Sequence, residues 1–234
     1  MASSGAIRIA QRNLIANPEF QVAQRGVGPF TSASAHVNND DTYLIDGWVF
    51  LAEGADACDV SPVYSGLPTG VLAGARAKLR MDIETANLKF GHIFFVTNKD
   101  ALEIIGGVAS LSFKAQTTGT ASISSCRAAI LAWSSTADAV TSDVVSSWDA
   151  SDAGVTLVAN WTLEGSVTFT PTTSWAEVRL ENVAIDTASA ANVAVFIWAD
   201  DTTATTVGEF LEITDINLVA GPVATPIVRR SYPT

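Results

Sequence analysis

Sulfur, imidazole and charge are all scarce in this chain, and each scarcity closes off a class of function. Two cysteines in 234 residues, Cys58 and Cys126, cannot supply a disulfide framework or a cysteine-based zinc site. From spacing alone they are either buried thiols or a single disulfide. The two histidines, His36 and His92, stand in no metal-ligand spacing such as H-x-x-x-H. His36 lies in a polar loop and His92 at the start of an apolar run, so they read as a surface and a core imidazole. No G-x-S-x-G elbow, phosphate-binding loop or zinc motif occurs, and Gly26-Val27-Gly28 is only a fragment of a glycine loop. The opening residues, MASSGAIRIAQRN, contain no apolar run of signal-peptide length. No stretch reaches the roughly 18 apolar residues of a spanning helix. The expectation is a protein made in the cytoplasm, not inserted in a membrane and not an enzyme.

Charged residues make up only 16% of the chain, and 24 acids face 13 bases for a net charge of −11. That excess repels a phosphate backbone, which removes nucleic acid from the expected partners. It also keeps a protein soluble when many copies are crowded together.

What is present favours strands. The apolar share is 48%, built from Ala and Val more than from Leu, with Ser, Thr and Gly filling the rest. Small and β-branched residues suit pleated, half-buried surfaces, whereas helices draw on Leu, Glu and Lys. A chain of this length buries a full core without staples. It is expected to fold as one domain over 1–234, with 220–234 as a basic tail.

Taken in order, residues 6–15 read as a first strand that ends at Asn17-Pro18, and 24–39 as a loop. Residues 43–50 read as one strand interrupted at Asp46-Gly47. In 75–81, Ala75, Ala77, Leu79 and Met81 share one face opposite Arg76, Lys78 and Arg80, which predicts a half-buried strand with a basic outer face. Residues 90–97 are continuously apolar and read as buried on both sides. Ala109, Leu111, Phe113 and Ala115 alternate with Ser110, Ser112 and Lys114, the pattern of an antiparallel strand. Another strand spans 123–133, and a long polar insertion follows over 134–160, with a short helix expected at 141–147 capped by Thr141. Trp175, Glu177, Arg179 and Glu181 oppose Ala176, Val178 and Leu180. Val193, Val195 and Ile197 oppose Ala194, Phe196 and Trp198, so that strand is central. In 210–218 the phase slips near Thr214-Asp215, which predicts a β-bulge. With no repeat, no heptad and no βαβ rhythm, the pattern predicts an all-β, antiparallel two-sheet jelly-roll sandwich carrying one long polar insertion loop.

The carboxylates Asp138, Asp143, Asp149, Asp152 and Asp200-Asp201 cluster in loops and read as solvating groups. No D-x-D-x-D-G run marks a calcium loop. Trp48, Trp133, Trp175 and Trp198 fall in or beside strands and read as core. Trp148 and Trp161 lie in the polar contexts SSWDASD and ANWTLEG. An exposed indole stacks on the apolar face of a pyranose, and Asp149 and Asn160 are placed to bond its hydroxyls, so these four form the expected carbohydrate site. The competing reading is that both rings pin the insertion to the sandwich. In the tail, Arg229, Arg230 and Tyr232 read as an assembly contact for an acidic neighbour, or as part of a segment folded back over a sheet edge.

Several segments resemble one family. NLIANPEFQVAQRG followed by YLIDGWVF, the strand VASLSFKAQT, the insertion TADAVTSDVVSSWDA, VAVFIWADD, and the ending LEITDINLVAGPVATPIVRRSY occur here in an order similar to that of bacteriophage surface domains. These are carbohydrate-binding-module-like jelly rolls of tail fibres, head spikes and capsid decoration proteins. The resemblance implies a non-enzymatic virion surface protein, homo-oligomeric, docked on other capsid or tail proteins and contacting host cell-surface polysaccharide. Because the first strand begins almost at once, without a shaft, a head decoration or spike component is expected ahead of a tail-fibre receptor-binding module or a pure capsid cement. Related modules often carry Phe-Glu after the N-terminal turn, the acid serving a structural calcium; here Phe20-Gln21 stands there, so no cofactor is expected, with a structural calcium as the alternative. Tail-fibre relatives often show Gln-Leu-Glu in the variant strand where this chain has Asn217-Leu218-Val219.

Overall fold

The computed structural model describes residues 11–118, 123–149, 154–200 and 205–227. Two antiparallel sheets form a sandwich of the jelly-roll kind. The larger holds, in spatial order, β1 (Thr42–Ile45), β2 (Trp48–Ala52), β5 (Phe90–Val96), β12 (Asn192–Ala199), β7 (Cys126–Trp133) and β10 (Trp161–Phe169). The smaller holds β11 (Ala176–Ala184), β6 (Val108–Thr117), β13 (Phe210–Ala220), β4 (Lys78–Ile83) and β3 (Cys58–Val63). A separate ribbon pairs β8 (Val145–Trp148) with β9 (Val155–Leu157) inside the insertion.

The alternation in the sequence becomes the layering. Ala109, Leu111, Phe113 and Ala115 of β6 face Val193, Val195 and Ile197 of β12 across the inter-sheet core, joined by Leu79, Met81, Leu211 and Ile213. Cys58 and Cys126 are free thiols buried in this core. The other side of β12 is equally buried: Ala194, Phe196 and Trp198 join Val49, Leu51, Ile93, Leu131 and Trp133 in a second apolar cluster. Val144, Val145 and the partly buried Val155 and Leu157 close it from outside, so the insertion is a lid of chain lying on the larger sheet. A strand between two neighbours and two apolar layers has no polar side to show, which is why β12 is apolar on both faces.

Three local expectations are revised. Residues 43–50 are not one strand but the β1–β2 hairpin, with Thr42 opposite Phe50 and Gly47 at φ +82° supplying the turn. The expected helix at 141–147 is absent; Val145–Trp148 is strand β8, and the described helix is α1 (Asn98–Ala101). Strand β3 carries Pro62, which an edge strand tolerates. Residues 11–15, the described part of the expected first strand, form no ladder; instead the Asn13 side chain donates to the Ile216 carbonyl (2.9 Å) and accepts from the Leu218 amide (3.0 Å). The bulge is where the pattern placed it: the register of β13 against β6 shifts between Thr214 and Asn217, and Asp215 adopts φ +56°.

Candidate functional site

The outer face of the smaller sheet is polar, and its side chains lie in cross-strand rows. In one row Glu212 of β13 sits opposite Arg80 of β4 and Gln116 of β6. Its carboxylate, wholly buried, accepts from Arg80 Nε (2.7 Å), Lys78 Nζ (2.8 Å) and Gln116 Nε2 (2.5 Å). The expected solvent-facing basic stripe is therefore corrected: Lys78 is 2% exposed and spends its charge on Glu212 and the Gly66 carbonyl. A buried ammonium without a partner would be too costly, and the matching carboxylate comes from a strand far along the chain. Trp175 donates its indole N–H to the same Gly66 carbonyl, 3.2 Å away, so the loop between β3 and β4 is tied down across the sheet.

The next rows surround a hollow. Thr214, Lys114 and Glu177 face one another across β13, β6 and β11, and Arg179 stands opposite Ser112. A cavity of about 290 Å³ lies over these strands, floored by Ser112, Lys114, Glu177, Arg179 and Asp215 and walled by residues 71–73 and by Pro226 and Ile227. Its size is at the lower end of small-molecule sites, about 300–1,000 Å³. Lys114 is ion-paired with Asp215, which the bulge turns towards it, and also donates to the Leu72 carbonyl. Arg179 is held between Glu177 (2.9 Å) and Glu181 (3.1 Å) and reaches the Ala224 carbonyl at 3.2 Å. The hydrogen bond that Arg179 donates to Glu177, assisted by the one to Glu181, raises the guanidinium pKa. The largely buried Lys114–Asp215 pair is in place before any ligand arrives, which lowers the ordering cost of binding.

The tail forms one wall. Ala224 donates its amide to Glu181 Oε1 (3.0 Å) and the Thr225 carbonyl accepts from Asn217 (2.6 Å), so the described part of the tail folds back on the smaller sheet. Arg229, Arg230 and Tyr232 lie outside the described residues.

The four residues expected to bind sugar sit over the other sheet. Trp161 is 6% exposed, packed against Trp133 (ring centroids 5.2 Å) and Phe95 (5.7 Å), with its N–H donated to the Thr141 hydroxyl at 3.1 Å. No ring face is left for a sugar, because the indole is consumed in holding the insertion down. Trp148 is half-buried with its ring edge-on to Phe196 at 6.1 Å. Asp149 accepts from the Thr156 hydroxyl (3.3 Å), and its carbonyl accepts from Lys89 (2.6 Å). Asn160 is exposed, at φ +72°, and its carbonyl accepts from the Ser134 amide and hydroxyl, the work of a turn residue. Among the described residues no hydrogen bond or ring contact joins the Trp148–Asp149 pair to the Asn160–Trp161 pair. A hollow of about 70 Å³ between β9 and the edge of the larger sheet, floored by Phe196 and Trp198, is too small for a pyranose.

Lys114, Glu177, Arg179 and Asp215 stand outside the site expected from the sequence. The signal was present: three charges at alternate positions of β11, with a lysine on the facing strand and a bulge aiming an acid. No group of three or more His, Cys, Asp and Glu side chains among the described residues has a metal-binding arrangement.

No protein-family profile and no curated protein matches the sequence. Solved structures do resemble the fold. A Bacteroides thetaiotaomicron protein named for sugar binding superposes with a TM-score of 0.50 at 16% identity, covering 90% of this chain and 100% of that one. TmCBM61 in complex with β-1,4-galactotriose gives 0.48 at 14% identity, covering 90% and 99%. The enzymatically active domain of bacteriophage CBA120 tailspike protein 4 gives 0.46 at 12%, covering 83% of this chain and 21% of that one. At 16% identity the superposition on the Bacteroides protein shows a shared fold and nothing further.

Proposed function

We propose that this chain is a non-enzymatic phage virion surface protein, a head decoration or spike component, that holds a host surface glycan in the polar cavity over β6, β11 and β13. The observation that carries the reading is that cavity: fixed donors and acceptors on a rigid sheet, flanked by apolar walls, of a size that suits a sugar ring. Sharing a sandwich with a protein named for sugar binding supports the ligand class. The resemblance of the N-terminal and C-terminal segments to phage surface domains supports the location, with docking onto other virion proteins and self-association through the segment that carries Arg229, Arg230 and Tyr232. The larger sheet plays a different part, since the insertion seals its outer face.

Glycan arrays and host-cell binding test the ligand. Wild type and Trp148→Ala are expected to bind alike, while Arg179→Ala and Glu177→Ala lose the signal. Imaging of whole virions with a labelled chain tests the location; a chain absent from purified particles removes the virion part of the reading.

A further inference from the structure

We infer that the cavity over β6, β11 and β13 selects an uncharged saccharide unit, an inference that rests on the glycan-binding reading above. Each ionic group of the floor is already matched. Lys114 is paired with Asp215, and Arg179 lies between Glu177 and Glu181. Two cations therefore face three carboxylates, and a bound carboxylate or sulfate would add a like charge beside Glu177 and Asp215. On β4, Lys78 and Arg80 are both turned onto Glu212, so that strand offers no spare cation either. The surrounding field points the same way, since the whole chain carries −11 and repels an approaching anion.

A neutral sugar meets none of these penalties. Paired carboxylates keep lone pairs that accept from hydroxyls, and the guanidinium and ammonium keep N–H directions that donate to them. A hydroxyl both donates and accepts, so it fits a floor of mixed polarity without breaking a pair. The walls at Val71, Leu72, Pro226 and Ile227 suit the C–H face of a pyranose.

The test is titration calorimetry with neutral hexose oligosaccharides and their counterparts oxidised to the C6 carboxylate, each at low and high salt. Neutral forms are expected to bind with affinity flat in salt, and the carboxylate forms about tenfold or more weaker. Glu177→Gln, which keeps shape and removes one negative charge, is expected to narrow that gap. Carboxylate forms that bind as well as or better than neutral ones, with affinity falling as salt rises, would overturn the inference and leave glycan binding intact. Binding by no member of either set would overturn glycan binding itself, and this inference with it.

Discussion

The ammonium of Lys89 lies 3.1 Å from the carboxylate of Asp200, and both side chains are wholly withdrawn from solvent. Asp200, just past β12, also accepts from Arg127 (2.5 Å) and from the Trp198 indole (3.1 Å). Lys89, just before β5, also donates to the carbonyls of Asp149 (2.6 Å) and Gly154 (3.3 Å). One ion pair thereby fastens the β8–β9 ribbon to the end of the larger sheet.

Replacing Lys89 with Met leaves the Asp200 charge short of a partner and frees two ribbon carbonyls. The expected cost is on the order of 3 kcal/mol in urea unfolding. Protease cutting should rise within 145–157 before anywhere else in the sandwich. An unchanged midpoint would mean that Arg127 alone satisfies the carboxylate.

Trp161 separates the two readings of the insertion. Trp161→Ala empties a buried site between Trp133 and Phe95 and is expected to cost about 3–5 kcal/mol, with glycan binding by the folded fraction unchanged. Trp161→Phe keeps most of the packing, loses the bond to Thr141, and should cost about 1 kcal/mol. Lost glycan binding with unaltered stability would restore the ring as a ligand contact.

His92 makes acid sensitivity a second test. Both its ring nitrogens are buried with no hydrogen-bond partner among the described residues, and burial lowers its pKa to about 3. Below pH 6.5 the unfolded chain takes up a proton that the folded chain refuses until about pH 3. Stability from this site is therefore full above 6.5 and falls as the pH drops towards 3, by about 1.4 kcal/mol per unit where the two states differ fully. Asp59 acts in the opposite sense. Burial, then Glu84, Asp56 and Asp82, raise its pKa to about 6, so the folded state gains relative stability as the pH falls below 6. His92→Leu is expected to stabilise the protein by about 1 kcal/mol at neutral pH and to flatten the acid-side decline. Denaturant midpoints of wild type and variant across pH 4 to 7 check this, and parallel curves would count against the buried neutral imidazole.

How far the sequence could be read depended on the range of each interaction. Alternation in Val108–Thr117, the doubly apolar Asn192–Ala199 and the phase slip at Asp215 are local, and each became the element it predicts. The fate of Lys78 and Arg80 was not local. Their partner Glu212 is 134 and 132 residues away, so Lys78 is buried and Arg80 half-buried on it, while Arg76 stays exposed. The insertion misled for a related reason. Its polar composition masked Val144, Val145, Val155 and Leu157, whose partners are the outward apolar residues of the larger sheet. The cavity needed four segments at once, namely the β3–β4 loop, the bulge, the β6–β11 pair and the tail, and none of these carries a motif alone.

In the proposed function the polar cavity of the smaller sheet, not the tryptophan-bearing insertion, holds the glycan. Calorimetric titration of oligosaccharide released from the host surface into wild type and Arg179→Ala tests it most directly. The predicted result is measurable binding by wild type and a loss of about tenfold or more in the variant, equivalent to about 1.4 kcal/mol, with unfolding free energies within about 0.5 kcal/mol of each other. Equal affinity for the two proteins, with binding abolished instead by Trp148→Ala, would contradict it.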